Sequence, residues 1–378
     1  MTATLSAGPL SAEDLIAALG PDRRDWLDPA FTPALSRLCE AISGEAGLTA
    51  AGERAVRAAL IRALTVQAQV RQFAAAHPEL AERPLGPVVV ITGLHRSGTT
   101  LLQNLLAEHP WLRAPRLWEL MSPVAADVTR ARVRTSEYIA AYYRDAPGFR
   151  AIHELDPDRP EECHRLSGNC FCSEIYGMRY RVPGYLDWLA GQDLTPAYRF
   201  HLTQLQAILW REPGGPVVLK CPLHLWHTDA LATVYPQALV VRLHRDPAQA
   251  LPSGCSLVAV IRRARSERID QAEIGKFWLS RTDEAVGLLR RQGPDAANGL
   301  PVLDVRYPDL IRDPVGTAAS VCDFARVEMT GEAAGLMRDW LARSRSSPAR
   351  REHEAGDFGL DPGQLGTRFR GYRDQYDL

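Results

Sequence analysis

The sequence predicts an α/β fold: a P-loop-like sandwich whose mainly parallel central sheet is flanked by helices, with a helical region ahead of it. Three observations carry this. Short apolar or β-branched runs, VVVIT (88–92), PVVLK (216–220), ALVVRLHR (238–245) and PVLDVRY (301–307), recur between stretches of helical periodicity, the pattern of strands joined by helical crossovers. The polar segments GLHRSGTT, KCPLHLWH and HRDPAQALPS begin at or just beyond the ends of three of those runs, where an open parallel sheet gathers its functional loops. Residues 11 to about 80 carry apolar residues near helical spacing instead of strands.

The elements follow in chain order. SAEDLIAALG opens on a serine suited to capping and closes on glycine, and ALSRLCEAI and AGERAVRAALIRALTVQAQVRQFAAAHPEL continue the helical region. AERPLGP then delivers the chain to VVVIT, so residues 1–86 are expected to form an accessory helical region and 87–378 the α/β domain. In GLHRSGTT, Gly93 and Gly98 permit tight backbone geometry, Arg96 offers a cationic donor, and Ser97, Thr99 and Thr100 offer hydroxyls. Leu101, Leu102, Leu105 and Leu106 fall on one side of the following helix, whose first amides would face an anion. The lysine between glycine and hydroxyl that marks a triphosphate loop is missing, which counts against a nucleotide-dependent phosphotransferase. A purely structural strand–turn–helix stays open on this motif alone. Downstream, FCSEIYGMRYRVPGYLDWL reads as a helix–loop–helix lid, LHLWHTDALATVYP as a helix, and the arginine-rich LARSRSSPARREHEAGDFGLD as a polar tail.

At 378 residues, with 46% apolar residues and a formal charge of -1, the composition is that of an ordinary soluble globular protein. It gives no reason to expect a nucleic-acid partner or bulk attraction to anionic membranes. Seven cysteines, at 39, 163, 170, 172, 221, 255 and 322, favour free thiols in a reducing compartment, and the group at 163, 170 and 172 lacks zinc-site spacing. The N-terminus has no signal-peptide pattern and no apolar run is long enough to span a bilayer, so a cytoplasmic location is expected. Homo-oligomerisation stays open.

The ordered set ITGLHRSGTTLLQNLLAEHPWLRAPRLWEL, DPDRPEECHRLSG, VVLKCPLHLWH and RLHRDPAQALPS resembles the bacterial branch of the sulfotransferase superfamily over most of residues 87–361. That resemblance implies 3′-phosphoadenosine 5′-phosphosulfate as co-substrate, a small-molecule or lipid-like hydroxyl or amine as acceptor, and no metal. Arg96 stands at the family's basic position facing the 5′-phosphosulfate, with Ser97, Gly98, Thr99 and Thr100 completing the loop. Arg245 and Ser253 match the residues that bind the 3′-phosphate, where a guanidinium fork and a hydroxyl suit the chemistry. Arg350 and Arg351 match a C-terminal basic segment covering the nucleotide, although HEAG stands where a more aromatic or basic stretch is expected.

For transfer itself, Lys220 resembles the lysine that follows a core strand and stabilises the donor's oxygens. The histidine that many relatives place two residues later is Pro222 here, leaving His224 as one candidate base. Glu119, in RAPRLWELMSP, is the preferred base by its offset from the loop; its competing reading is an anchor for Arg113 or Arg116. Trp118, His153 and Tyr176 are expected to line the acceptor pocket. A non-catalytic nucleotide-binding regulator or scaffold built on the same fold is the alternative outside enzymes.

Overall fold

The computed structural model describes residues 10–83, 85–212, 215–292, 297–344 and 354–378. The elements that position the site are α1 (Ala12–Ala17), α2 (Thr32–Glu45), α3 (Ala50–Ala76), β1 (Val88–Gly93), α4 (Thr99–Ala107), α5 (Leu117–Met121), α6 (Thr195–Leu209), β2 (Val217–Lys220), β3 (Leu239–His244), α7 (Pro247–Arg263), α8 (Gln271–Gln292) and β4 (Val302–Arg306). The strands form one sheet in the order β2-β1-β3-β4, every neighbouring pair parallel. Reversal of direction on either side of β1 creates the switch point outside its carboxyl end, the usual ligand position in open α/β sheets.

Period-two alternation explains the layering. Val88 and Val90 belong to a core cluster shared with helices α1 to α3, α7 and α8, whereas Val89 and Ile91 pack with Leu102, Leu105 and Leu106 of α4. All six residues of β1 are buried, so the central strand reads as a continuous apolar run. The N-terminal helices therefore bury their apolar stripes, including Leu35, Leu38, Val56 and Leu60, in the same cluster as Leu219 and Val240 of the sheet.

One charged group is inside this sheet. Arg242 of β3 is fully buried and makes paired bonds of 2.8 and 2.9 Å to Asp304 on β4. Asp304 also meets His244 Nε2 at 2.8 Å. The tail closes over the same edge: Tyr372 Oη lies 2.7 Å from His244 Nδ1, and the Tyr376 ring stacks on His244 with centroids 3.8 Å apart.

The segment 171–189 forms two short helices, Ile175–Arg179 and Pro183–Leu189, as the helix–loop–helix reading expects. It is packed core and not a lid, because Tyr185 is fully buried and its hydroxyl is bonded to the Phe171 and Ser173 carbonyls. The stretch after β2 begins as a 3-10 turn, Pro222–Trp226, before the helix Thr228–Val234. Among the described residues no helix is long and apolar enough to cross a membrane.

Candidate active site

The loop after β1 turns on two left-handed residues. Gly98, at φ 95°, caps α4, and a Cβ there would lie 2.9 Å from Leu310 and 3.0 Å from Tyr307. Arg96 itself has φ 68°, a conformation that non-glycine residues adopt at a cost and mostly where surrounding contacts impose it. Gly93 precedes the turn with φ 139°, and a Cβ at that point would meet the Leu243 carbonyl oxygen at 2.4 Å. The backbones of β1 and β3 can close together only because this residue is glycine.

Around the turn, residues distant in sequence meet. Arg96 Nε donates to Ser253 Oγ at 3.0 Å. Arg245 Nη1 donates to the Arg96 carbonyl at 2.7 Å, its guanidinium lies 4.2 Å over the Tyr307 ring, and its buried Nε has no hydrogen-bond partner. Lys220 Nζ donates to Thr100 Oγ1 at 3.3 Å and to Glu162 Oε1 at 2.7 Å. Ser97 Oγ caps the turn on the Leu94 carbonyl at 2.6 Å. The cluster thus joins the carboxyl ends of β1, β2 and β3 with the starts of α4 and α7. Thr99 and Thr100 contribute first-turn amides of α4, which an α-helix leaves without intrahelical acceptors.

Glu162 is the site residue that sequence reasoning missed. Its second oxygen is 3.0 Å from His164 Nδ1. Burial acts to raise its proton affinity, but the Lys220 charge, aided by His164, holds the carboxyl well below the usual range. The chain is tied at this point by the Cys163 N–H, which donates to the Lys220 carbonyl at 3.0 Å. The available signal was the PEEC run inside one of the ordered motifs.

The other expected residues lie in different surroundings. Glu119 is buried, its one oxygen bonded to Arg113 and the other accepting the Arg116 N–H at 2.7 Å, so it closes the capping box of α5. Arg113 is aligned with Val217, at the opposite end of β2 from Lys220, about 10 Å away at ordinary strand rise. His224 has Nδ1 at 2.7 Å from Tyr198 Oη and Nε2 at 3.0 Å from Cys163 Sγ. Trp118 lies beneath the Arg132 guanidinium, His153 Nε2 is 2.8 Å from Glu161, and Tyr176 donates to the Gly168 carbonyl at 2.7 Å. These three do not converge on one pocket. Arg350 and Arg351 lie outside the described residues.

A small recess opens beside the loop, walled by Leu94, His95, Trp226, Leu251, Trp278 and Arg281 among others. His95 Nε2, Trp226 Nε1 and Trp278 Nε1 are buried there without hydrogen-bond partners, and polar atoms left so in a recess are suited to a ligand. Burial lowers the His95 pKa to about 4, so the ring is neutral at physiological pH.

With this geometry in view, comparison with known proteins is decisive. A model of the sulfotransferase family matches residues 87–331. The chain belongs to the sulfotransferase family. Over 242 residues it is 24% identical to the omega-hydroxy-beta-dihydromenaquinone-9 sulfotransferase Stf3 of Mycobacterium bovis, and equally to that of Mycobacterium tuberculosis, covering 61% of this chain. The match spans 60% of the length of those curated relatives. The crystal structure of sulfotransferase STF1 from Mycobacterium tuberculosis H37Rv superposes with a TM-score of 0.80 at 28% identity, covering 96% of this chain and 99% of that one. STF9 from Mycobacterium avium shares the fold with a TM-score of 0.82 at 22% identity, covering 100% and 99%. The sulfotransferase fold is therefore shared nearly end to end, N-terminal helices included.

Proposed function

We propose that this member of the sulfotransferase family transfers the sulfuryl group of 3′-phosphoadenosine 5′-phosphosulfate to a hydroxyl of an apolar small molecule. The observation that carries the reading is the convergence of Arg96, Ser253, Arg245, Thr100 and Lys220 around one glycine turn. Family membership supports sulfuryl transfer. For the donor, we assign Arg96, Thr100 and the α4 amides to the 5′-phosphosulfate, and Arg245 with Ser253, which Arg96 Nε holds, to a 3′-phosphate. A lipid-like acceptor is supported by the menaquinone-derived substrate in the name of Stf3 and by the tryptophan-walled recess beside the loop.

In this mechanism the acceptor oxygen attacks sulfur opposite the phosphate. An O–S bond forms, the S–O bond to the 5′-phosphate breaks, and 3′-phosphoadenosine 5′-phosphate leaves. Lys220 neutralises charge growing on the bridging oxygen, and Arg96 on the nonbridging oxygens. The acceptor's proton passes to Glu162. Glu162 is bonded to Lys220; when the lysine turns to the donor, the carboxylate loses its cation and becomes the stronger base. This assigns the base role to Glu162 in preference to Glu119, whose oxygens are engaged by Arg113 and Arg116, and to His224, whose ring nitrogens face Tyr198 and Cys163.

The test is transfer of a labelled sulfuryl group from the donor to a panel of apolar alcohols and phenols, including hydroxylated quinols. Labelled sulfate ester is expected with wild type, and Lys220→Ala should reduce kcat by about 100-fold or more, the scale of losing one transition-state donor. Binding of the desulfated nucleotide with no transfer to any acceptor would instead favour a nucleotide-binding regulator.

A further inference from the structure

Beneath the Lys220–Glu162 pair is a second cluster that sulfuryl transfer does not use. Donor atoms of Cys163, His201 and His224 all lie within 4.8 Å of one another, and the three residues are buried. His201 is 1% exposed. Its Nδ1 is 2.7 Å from the Tyr235 hydroxyl, and its Nε2 has no hydrogen-bond partner. His224 is arranged alike: Nδ1 meets the Tyr198 hydroxyl at 2.7 Å and Nε2 meets Cys163 Sγ at 3.0 Å.

We propose that Cys163, His201 Nε2 and His224 Nε2 bind a zinc-class divalent cation. A thiolate and two imidazoles are ligands that such an ion takes, and three protein ligands leave its fourth tetrahedral position to solvent. Each histidine has its other ring nitrogen held by a tyrosine hydroxyl, the outer partner that orients a metal-ligating imidazole. On binding, the Cys163 thiol releases its proton to solvent, and the thiolate offsets half of the dication's charge. Zn–S and Zn–N bonds of ordinary length put tetrahedral S and N ligands roughly 3.6 Å apart; from the 3.0 Å contact between Cys163 and His224 this needs only a small outward movement. An alternative set, Glu162, His164 and Cys221, also lies within 4.8 Å. There, however, both Glu162 oxygens are engaged, by Lys220 and His164, whereas His201 leaves a buried nitrogen unsatisfied.

Such an ion would tie three segments: the stretch 161–163, α6 through His201, and the turn after β2 through His224. Cys163 follows Glu162 and His224 lies in the turn just after Lys220, so the cation would fix the backbone on both sides of the proposed lysine–glutamate pair without touching donor or acceptor.

The experiment is titration of Co²⁺ into the full chain, stripped with chelator and kept reduced. One equivalent should bind with a thiolate-to-cobalt charge-transfer band and be displaced by Zn²⁺. Cys163→Ser should abolish the band, Cys170→Ser should leave it intact, and Tyr235→Phe, which keeps every ligand, should weaken Zn²⁺ binding on the order of 10-fold. Absence of a thiolate–cobalt band from wild type overturns the proposal whether or not any variant folds, as does a band that survives in folded Cys163→Ser. The readout is independent of sulfuryl transfer, so it stands apart from the proposed activity.

Discussion

In the proposed mechanism Glu162 concentrates the chemistry at the residue scale. It is the carboxylate bonded to Lys220, and its lowered pKa follows from that cation against the opposing effect of burial. Glu162→Gln should cut kcat by roughly 100-fold or more, the range of a positioned general base, with donor affinity changed far less; single-turnover transfer beside nucleotide titration separates the two. Because the carboxyl is held below its ordinary range, it is ionised above about pH 4.3, the unperturbed glutamate value. Its contribution to stability is therefore full above that pH and is lost as pH falls through the folded-state value. The kcat/KM profile, which reports the free enzyme, should accordingly show no Glu162 limb near neutrality. Arg96, Arg245, Ser253 and Lys220 were named through the family that the ordered motifs resemble, and the fold sets them around one glycine turn. Glu162 was not, since its partner lies 58 positions away and nothing in the spacing of PEEC specifies which glutamate turns inward. His201 sits in an apolar helical run, where a histidine reads as ordinary core.

At the scale of elements, β3 and β4 are joined by more than their backbone ladder. A fully buried guanidinium on Arg242 depends on Asp304 for its counter-charge, and removing one partner of such a pair leaves a charge stranded in the core. Asp304→Ala should destabilise the chain by about 3–5 kcal/mol, measured by denaturant unfolding, whereas Arg312→Ala, in an exposed pair with Asp309, should fall within about 1 kcal/mol. All four strands were legible within a residue or two at each end, because β-branched runs between helices admit few other readings. The helix–loop–helix over 171–189 was legible as well. Its burial was not, because the role of Tyr185 depends on carbonyls that only the folded chain brings within reach.

The whole molecule shares one large core between its N-terminal helices and one face of the sheet. Leu35, Leu38, Val56 and Leu60 are each at most 1% exposed, and fully burying such a side chain contributes about 1.5–3 kcal/mol. We propose that residues 1–86, although an accessory region in sequence, are required for the remainder to fold. A chain beginning at Pro87 should aggregate or bind a hydrophobic dye, as size-exclusion chromatography and dye fluorescence would report; a monodisperse, cooperatively unfolding 87–378 fragment would show the two regions to be separable. Periodicity revealed the helices but not this dependence, since amphipathic spacing marks a face for burial without naming its partner.

The central claim is that the glycine turn, Arg245 and Ser253 form a site for a nucleotide phosphorylated at both its 3′ and 5′ positions. Calorimetric titration of 3′-phosphoadenosine 5′-phosphate against adenosine 5′-phosphate tests it most directly, in wild type and Arg245→Ala. The 3′-phosphorylated nucleotide should bind wild type about 10-fold or more tightly, the scale of one charge-assisted contact of 1.5–3 kcal/mol, and Arg245→Ala should erase most of that preference. Equal affinities in wild type, or a preference untouched by Arg245→Ala, would contradict the assignment.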